Sequence, residues 1–243
     1  MNHPLPPGQR EMSSFPRFGL SRFASRFPED LTRAALHVSG EVTHEVHLAN
    51  ALTGLPRVEH ESDFHCVTTW SRRAVRWGGV RFSDFYEAVV IPRACPRPSA
   101  TLVALRGHDG ARTALLLADL LAADVLLVDQ LDGQPLGIDH GAPLRLIAPQ
   151  HYGYKSVKHL ARIEFRNPDA GYPVSGFRFM DHPRARVALE ERGRGVPGWL
   201  LRIAYRPLIP GTVERFARAM AGHRTRASSV GDGVPIRGAH ERG

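Results

Sequence analysis

Between positions 31 and 166, the hydrophobic residues fall in short runs that either alternate with polar residues or are continuous. Hydrophobic and polar residues alternate over 35–48, with a break at a Ser-Gly pair, which predicts a hairpin or two short strands. Another strand is predicted within 58–68, ending at Cys66. Further strands are expected at 101–107, at 124–136 around an Asp-Gly turn, at 143–149 and at 159–165. The pattern is typical of a β-rich core.

Helical patterns are fewer and shorter than strand patterns. Ser83, followed by the sequence DFYEAVV, is typical of the N-cap of a short helix, which Pro92 would close. Amphipathic spacing predicts further helices at 113–122 and at 213–220. Short strands mixed with short helices indicate an α+β fold with a mixed sheet rather than a doubly wound parallel sheet.

Composition divides the chain into four parts. Residues 1–30, rich in Pro, Arg and Phe, predict an irregular N-terminal arm packed on the core. The core is expected over 31–166, with a C-terminal extension packed on it over 167–221. Residues 222–243, rich in Gly, Ser and Arg, predict a disordered tail. With 243 residues, the chain is long enough for a single domain with one sizeable core.

The charge balance favours an anionic partner. A formal net charge of +8 and a pI near 10.3 suit a nucleic acid, an acidic membrane surface or a phosphate-bearing ligand. No RRM, KH or helix-turn-helix pattern is present in the sequence. A basic nucleic-acid-binding module is therefore disfavoured and is kept only as the alternative hypothesis.

Targeting and membrane signals are missing from the sequence. The N-terminus has no apolar stretch of the kind found in secretory signals, and no run of about 18 apolar residues occurs. We therefore expect no membrane span. Two cysteines without CxxC spacing are too few for a disulfide framework, which favours a reducing, cytoplasmic setting.

Cys66 is the first candidate for chemistry. A lone cysteine is most often a small buried hydrophobic residue. However, His65 is adjacent, polar residues follow in the sequence VTTWS, and the expected strand ends at this point, so a thiolate could face a pocket. Thiolate is a soft ligand that suits zinc or a heavier transition metal, but the histidines are too scattered along the sequence to favour a zinc site at Cys66 and His65. Cys95 lacks such a setting and is interpreted as structural.

The two lysines form the second candidate. Lys155 and Lys158 lie in the segment YGYKSVK, and every other basic side chain of the chain is an arginine. Gly153 permits a close approach of backbone to a ligand, Ser156 supplies a hydroxyl, and ammonium groups are compact charges that suit a phosphate. The segment therefore favours an anion site, although a solvated loop would have the same composition.

These segments together resemble a known family. The sequences DFHCVTTWS and DQLDGQPLGIDHGAPLRLIAPQHYGYKSVKHLARIEF, and the opening PPGQRE…FPRFG, are similar to the oxidoreductase molybdopterin-binding domain of the sulfite oxidase family. The small bacterial members, such as the catalytic subunit of methionine-sulfoxide reductase, are the most similar. The resemblance covers about residues 6–166 and implies a mixed-sheet fold without the dimerisation domain of animal sulfite oxidases.

The resemblance also implies a cofactor and its contacts. One molybdenum would be bound by Cys66 and by the dithiolene of one pterin, so Cys66 is both the metal ligand and the catalytic residue. The cofactor-binding residues expected on this basis are Arg17, His65, His140, Arg145, Gly153, Tyr154, Lys155, Ser156, Val157 and Lys158. Arg145 lies eleven residues before Ser156, as in the family, and His140 stands where the reductase commonly has Asn.

The activity implied by the resemblance is oxygen-atom transfer at molybdenum, to or from a sulfur substrate such as sulfite or a sulfoxide. No CxxCH sequence is present, so we expect no haem and an unidentified electron-transfer partner. Sulfite oxidases follow the cysteine with an Asn-Arg-Arg pattern, whereas Cys66 is followed by VTTWSRR, as in the reductase-like branch. A family member that binds the cofactor without turnover is a further alternative.

Overall fold

The strands and helices are defined in a computed structural model, which describes residues 3–231. In chain order the strands of this range are β1 (Arg10–Glu11), β2 (Leu36–Gly40), β3 (Val46–Leu48), β4 (Val58–His65), β5 (Trp70–Arg81), β6 (Leu102–Gly107), β7 (Arg112–Leu116), β8 (Leu126–Leu131), β9 (Gln134–Pro135), β10 (Arg145–Ile147) and β11 (Leu160–Arg166). The α-helices are α1 (Phe82–Phe85), α2 (Ile91–Ala94), α3 (Leu117–Leu120), α4 (Gly198–Tyr205) and α5 (Ile209–Gly231), with a π-helical stretch, Tyr86–Val90, joining α1 to α2. Among these residues, no helix combines the length and the hydrophobicity needed to cross a membrane.

The strands form two mixed sheets. In the first sheet the order is β1-β5-β8-β10, with β4 also paired to β5 and β9 to β8, and only the β1–β5 pair is parallel. In the second sheet the order is β3-β2-β11-β6-β7, and only β11 and β2 run parallel. This architecture confirms the α+β class and the mixed pairing expected from the sequence.

The main hydrophobic core lies between the two sheets. Val38 and Phe165 from the second sheet meet Val80 and Leu127 from the first in one cluster of buried side chains. This arrangement follows from strand alternation, because every second residue of each strand points to the same side.

A second, smaller cluster covers the other face of the first sheet. Trp77 and Ile147 are buried there, and Phe15 and Phe64 pack against them. The ring of Phe15 lies 5.2 Å from that of Phe64 and 6.0 Å from that of Trp77. The residues that precede β2 therefore extend over the first sheet, and both faces of its centre are buried.

Several elements lie where the hydrophobic pattern predicts them. The hairpin of β2 and β3 occupies the alternating stretch 35–48, and β4 ends one residue before Cys66. The strand–turn–strand prediction for 124–136 is matched by β8 and β9, and β6, β10 and β11 are also confirmed. These segments are short apolar runs bounded by turn residues, a sequence pattern that is typical of β-strands.

Two predicted helices are wrong in part. The expected helix at 113–122 is strand β7 followed by the single turn α3, because continuous apolar runs fit a buried strand as well as a helix. Ser83 is not the N-cap, which is Arg81 without a side-chain hydrogen bond. Pro92 does not end the helix either, since it lies within α2, which continues the π-helical stretch to Ala94.

The last helix extends into the segment predicted as a C-terminal tail. Helix α5 includes the predicted helix 213–220 and continues through Gly222 to Gly231, where a disordered tail was expected. Thr225 and Ser228 donate side-chain hydrogen bonds to carbonyl groups four residues earlier, so these residues are accommodated within the helix. Residues 232–243 of the predicted tail lie outside the described range. The other domain boundaries stay predictions.

Replacing a core aromatic residue should measure how much the shared core stabilises the fold. Phe165 is fully buried between the sheets, whereas Phe177 is 72% exposed. We expect Phe165→Ala to lower the free energy of unfolding by about 3–5 kcal/mol through lost burial and a residual cavity. Phe177→Ala should change it by less than about 0.5 kcal/mol. Urea denaturation measures both, and equal effects would contradict the assignment of the core.

Candidate cofactor site

A cavity of about 290 Å³ lies between the N-terminal residues, the β4–β5 turn and the segment that carries the two lysines. Its walls include seven residues that the sequence singles out: Arg17, Cys66, Gly153, Tyr154, Ser156, Val157 and Lys158. Aromatic side chains are a large part of the remaining wall, namely Phe15, Phe18, Phe23, Phe64, Trp70, Phe177, Tyr205 and Phe216. The cavity thus joins a thiol, basic groups and an apolar lining, a composition typical of ligand sites.

Cys66 occupies the tight turn between β4 and β5. The Cys66 N–H donates to the carbonyl of Trp70 (2.8 Å), and its own carbonyl accepts from the N–H of Thr69 (3.1 Å). The free Sγ lies 3.2 Å from Oγ1 of Thr68. Burial raises the pKa of the Cys66 thiol, while the Thr68 hydrogen bonds and the positive charges of Arg192 and Lys158 oppose this shift. A metal cation would add to the groups that favour the thiolate.

The lysine segment packs directly against the strand that carries the cysteine. The backbone N–H of Gly153 donates to the carbonyl of His65, 2.8 Å away. A Cβ atom at position 153 would lie 2.3 Å from the ring of Phe64, well inside the contact distance. Glycine is therefore required at this position by close approach, and it brings the segment 152–158 to the end of β4.

Lys158 is a partly buried cation on the cavity wall. Its ammonium group donates to the carbonyl of Asp139 (2.9 Å). Burial, followed by the positive charges of Arg145 and Arg17, lowers the pKa of Lys158 to about 7, and Asp139 and Asp109 act in the opposite direction. The side chain is thus held among like charges, where an added anion would stabilise its protonated form.

Arg17 and Arg145 supply the neighbouring positive charges. Arg17 donates to the carbonyls of Ala24 and Arg26 and lies over the ring of Phe27, 4.3 Å from its centre. Among residues 3–231, no carboxylate pairs with Arg17, Arg145 or Lys158. Two buried cations and a partly buried one, none paired with a carboxylate, are costly unless an anion joins them.

Arg145 lies behind the cavity wall rather than on it. Its guanidinium donates to the carbonyl of His140 (2.7 Å), and its other terminal nitrogen is 3.5 Å from the carbonyl of Ser156. The guanidinium carbon of Arg145 lies 5.0 Å from the ring centre of Trp77. Burial lowers the pKa of Arg145 to about 9. Nε of Arg145 and Nδ1 of His140 have no hydrogen-bond partner among the described atoms. His140 likewise does not line the cavity.

Lys155 differs from Lys158 although only two residues separate them. It is fully buried but does not line the cavity, and its ammonium group donates to Oδ1 of Asp181 (3.0 Å) and to the carbonyl of Ala114 (2.8 Å). Tyr172 donates to the other oxygen of Asp181. These contacts tie the C-terminal extension to the core. The predicted cofactor contact of Lys155 stays a prediction, and the geometry gives this side chain an internal partner.

His65 belongs to a polar chain beneath the cysteine turn. Its Nδ1 lies 2.7 Å from Oγ of Ser71, and that hydroxyl donates to Oε1 of Gln9 (2.9 Å). The amide nitrogen of Gln9 in turn donates to the carbonyl of Cys66 (3.0 Å). His65 does not line the cavity, so the geometry supports a positioning role for it beside the cysteine.

Sequence reasoning missed two residues that hold the cysteine turn. Gln9 lies in the stretch PPGQRE, whose similarity to the family was the available signal. Arg192 had no sequence signal, because it lies in the C-terminal extension among other charged residues. It is fully buried and donates to the carbonyls of Val67 (2.6 Å) and Pro7 (2.9 Å), with its guanidinium 4.9 Å from the ring centre of Tyr152.

Comparison with known families agrees with this geometry. The family model described as the oxidoreductase molybdopterin binding domain matches residues 25–173, more than half of the chain. The chain therefore belongs to this family of molybdopterin-binding oxidoreductases, and its two mixed sheets are the molybdopterin-binding fold of the sulfite oxidase family.

Individual relatives place the chain within the family. It is 38% identical over 162 residues to the uncharacterized oxidoreductase YuiH of Bacillus subtilis, covering 66% of this chain and 78% of that one. It is 29% identical over 219 residues to the protein-methionine-sulfoxide reductase catalytic subunit MsrP of Xanthomonas campestris, covering 77% and 66%. It is 30% identical over 165 residues to the sulfite oxidase of Gallus gallus, covering 65% of this chain but 32% of the relative.

The residues of the cavity fit a molybdopterin cofactor. A buried free thiol on the wall suits a soft metal, and the cations Arg17 and Lys158, which have no carboxylate ion-pair partner, suit the phosphate of a pterin. Nε of Arg145 is a hydrogen-bond donor without a partner among the described atoms, and it lies behind the wall of the same cavity. These properties come from the chain itself and agree with the family assignment.

Replacing Gly153 should disturb the docking of the lysine segment. Gly153→Ala would push against the ring of Phe64, so we expect the free energy of unfolding to fall by about 1–3 kcal/mol. The matched control is Gly211→Ala, where an added Cβ meets no atom within 4 Å and a helix gains up to about 1 kcal/mol. Thermal and urea denaturation compare the two variants. A neutral Gly153→Ala would show that the segment is not held against Phe64.

The lowered pKa of Lys158 predicts a pH dependence of stability. Between about pH 7 and about pH 10 the unfolded state binds more protons than the folded state, because the folded lysine loses its proton first. In the cofactor-free protein, the free energy of unfolding of the wild type should rise with pH relative to that of Lys158→Met. The slope is expected to be on the order of 1 kcal/mol per pH unit.

Urea denaturation across this pH range measures the difference between the two proteins. Added inorganic phosphate should flatten the trend, because a bound anion stabilises the protonated ammonium group. A difference that does not change with pH would mean that Lys158 is not held among uncompensated positive charges.

Proposed function

We propose that the protein is a molybdenum-cofactor-dependent oxidoreductase that transfers an oxygen atom to or from a sulfur substrate. The observation that carries the proposal is the convergence of the Cys66 thiol and the partly buried Lys158 on one cavity, in a chain of the molybdopterin-binding family. When bound, the cofactor supplies oxygen-atom transfer through the Mo(VI) and Mo(IV) states.

The residues of the cavity divide into those that would hold the metal end and those that would hold the phosphate end. Cys66 would ligate molybdenum, and Thr68, 3.2 Å from Sγ, orients the sulfur by a hydrogen bond. Lys158 and the backbone of 153–158 would bind the pterin phosphate, with Arg17 adding positive charge from the N-terminal side. Arg145 and His140 would support this shell from behind the wall.

The aromatic lining would keep water from the metal end of the site. Phe15, Phe64 and Trp70 contact one another around the cavity, with ring centres 5.2 to 6.2 Å apart. Removing water strengthens the electrostatic interactions of the thiolate and the cations. The same apolar surface suits a substrate whose reacting sulfur carries aliphatic groups, as in a sulfoxide.

Two observations support a sulfur substrate: the names of the relatives and the apolar lining of the cavity. A methionine-sulfoxide reductase subunit and a sulfite oxidase both match this chain, and both names specify a sulfur centre. The aligned region covers 66% of the length of the reductase subunit and 32% of the length of the sulfite oxidase. The activity of either full-length relative is therefore only an expectation for this chain. We favour a sulfoxide, because the cavity is lined mainly by apolar side chains. An external redox partner would supply or remove the electrons.

The proposed function is tested by the metal content and activity of matched cysteine variants. We expect about one molybdenum and one pterin per wild-type chain, since the proposed site has one thiolate. Cys66→Ala should lose the molybdenum-dependent activity with a sulfoxide and a reduced dye as the electron donor. Cys95→Ala removes an exposed thiol that lies outside the cavity and should behave as the wild type.

Inductively coupled plasma mass spectrometry, fluorescence of the oxidised pterin and dye oxidation give the three readouts. Wild-type protein that contains pterin and molybdenum but turns over neither a sulfoxide nor sulfite would contradict the catalytic part of the proposal. Equal molybdenum content and activity in Cys66→Ala and wild type would contradict the role of Cys66.

A further inference from the structure

A cluster of potential metal ligands lies on the hairpin of β2 and β3, at the edge of the second sheet. His37 of β2 is directly opposite His47 of β3 in the antiparallel register. The residues flanking both histidines point into the core, namely Leu36, Val38, Val46 and Leu48. Strand alternation therefore turns both imidazoles to the outer face of the sheet, on the same side.

The third member of the cluster is Glu45, which precedes β3. Its Oε2 lies 2.9 Å from Nε2 of His37. The imidazole rings of His37 and His47 are stacked with their centres 4.0 Å apart. One ligand atom from each of the three residues lies within 4.8 Å of the others. Two imidazole nitrogens and a carboxylate oxygen are thus gathered at one point by the pairing of two strands.

We propose that His37, Glu45 and His47 form a binding site for a divalent first-row transition-metal ion, with Zn²⁺ as the best-suited ion. Zinc takes imidazole and carboxylate ligands in a tetrahedral arrangement, and sites with three protein ligands hold water in the fourth position. Small rotations of the side chains would replace the hydrogen bond between His37 and Glu45 by bonds to the ion. The bound ion would then link both strands of an edge hairpin.

The site is distinct from the cavity that contains Cys66. None of its three residues lines that cavity, and the two sites belong to different sheets. The ligand chemistry also differs, because thiolate selects soft metals whereas imidazole and carboxylate suit zinc, nickel and copper. The proposal does not depend on the proposed oxygen-atom transfer.

The positive charge of Arg162 offers a further test of the proposed metal site. Arg162 of β11 is the register partner of His37 on the other side of β2, so its side chain emerges on the same face of the sheet. A guanidinium group near the site repels a cation, while Glu45 attracts it. Removing Arg162 should therefore tighten metal binding, by a factor of about two to five for a partly screened interaction.

Zinc titration of the full-length protein by isothermal titration calorimetry tests the proposal, with matched variants measured under the same conditions. Wild type should bind one more zinc ion than His47→Ala and His37→Ala, or bind it at least tenfold more tightly. His60→Ala, which removes a half-buried histidine of β4, should match the wild type. Arg162→Gln should bind zinc more tightly than wild type. Binding at Cys66 would be common to all these variants.

Cobalt substitution provides a second readout of the ligand types. Co²⁺ at the proposed site should give visible d–d absorption that is absent from His47→Ala, without the sulfur-to-metal charge-transfer absorption of a thiolate ligand. The proposal is overturned if His37→Ala and His47→Ala bind zinc as wild type does. Loss of binding in His60→Ala alone, or a cobalt spectrum that is the same in His47→Ala as in wild type, would equally overturn it.

Discussion

The contact between Gly153 and the end of β4 determines whether the candidate site exists. One backbone hydrogen bond, from Gly153 to the carbonyl of His65, joins the lysine segment to the residue before the cysteine. The ring of Phe64 lies where any larger side chain at 153 would be. Because of this close approach, two segments separated by more than eighty residues meet at one cavity and place Cys66 and Lys158 on its wall.

The electrostatic state of the cavity follows from that arrangement. Lys155 and Lys158 belong to the same segment, but Lys155 forms an ion pair with Asp181, whereas Lys158 donates to the carbonyl of Asp139 and has no carboxylate within ion-pair distance. The first lysine connects the C-terminal extension to the core. The second retains an uncompensated charge that a phosphate would neutralise. A protein that binds a preformed anionic cofactor can tolerate this cost in its empty state, because binding removes it.

Much of this arrangement could be predicted from the sequence, and the rest depends on contacts between distant residues. The hairpin at 35–48, the strand before Cys66 and the strands around the lysine segment follow from local alternation. The central strand β5 was missed because its sequence, WSRRAVRWGGVR, interrupts hydrophobic alternation with charges and glycines. The different environments of Lys155 and Lys158, and the role of Arg192, are set by the C-terminal extension, which local patterns do not connect to the cysteine turn.

A crystal structure of the purified protein, with anomalous data collected at the molybdenum absorption edge, tests the central claim most directly. The account predicts one anomalous peak at bonding distance from Sγ of Cys66, with the pterin phosphate beside Lys158 and the backbone of 153–158. A molybdenum peak away from Cys66, or a phosphate that does not contact the lysine segment, would contradict it.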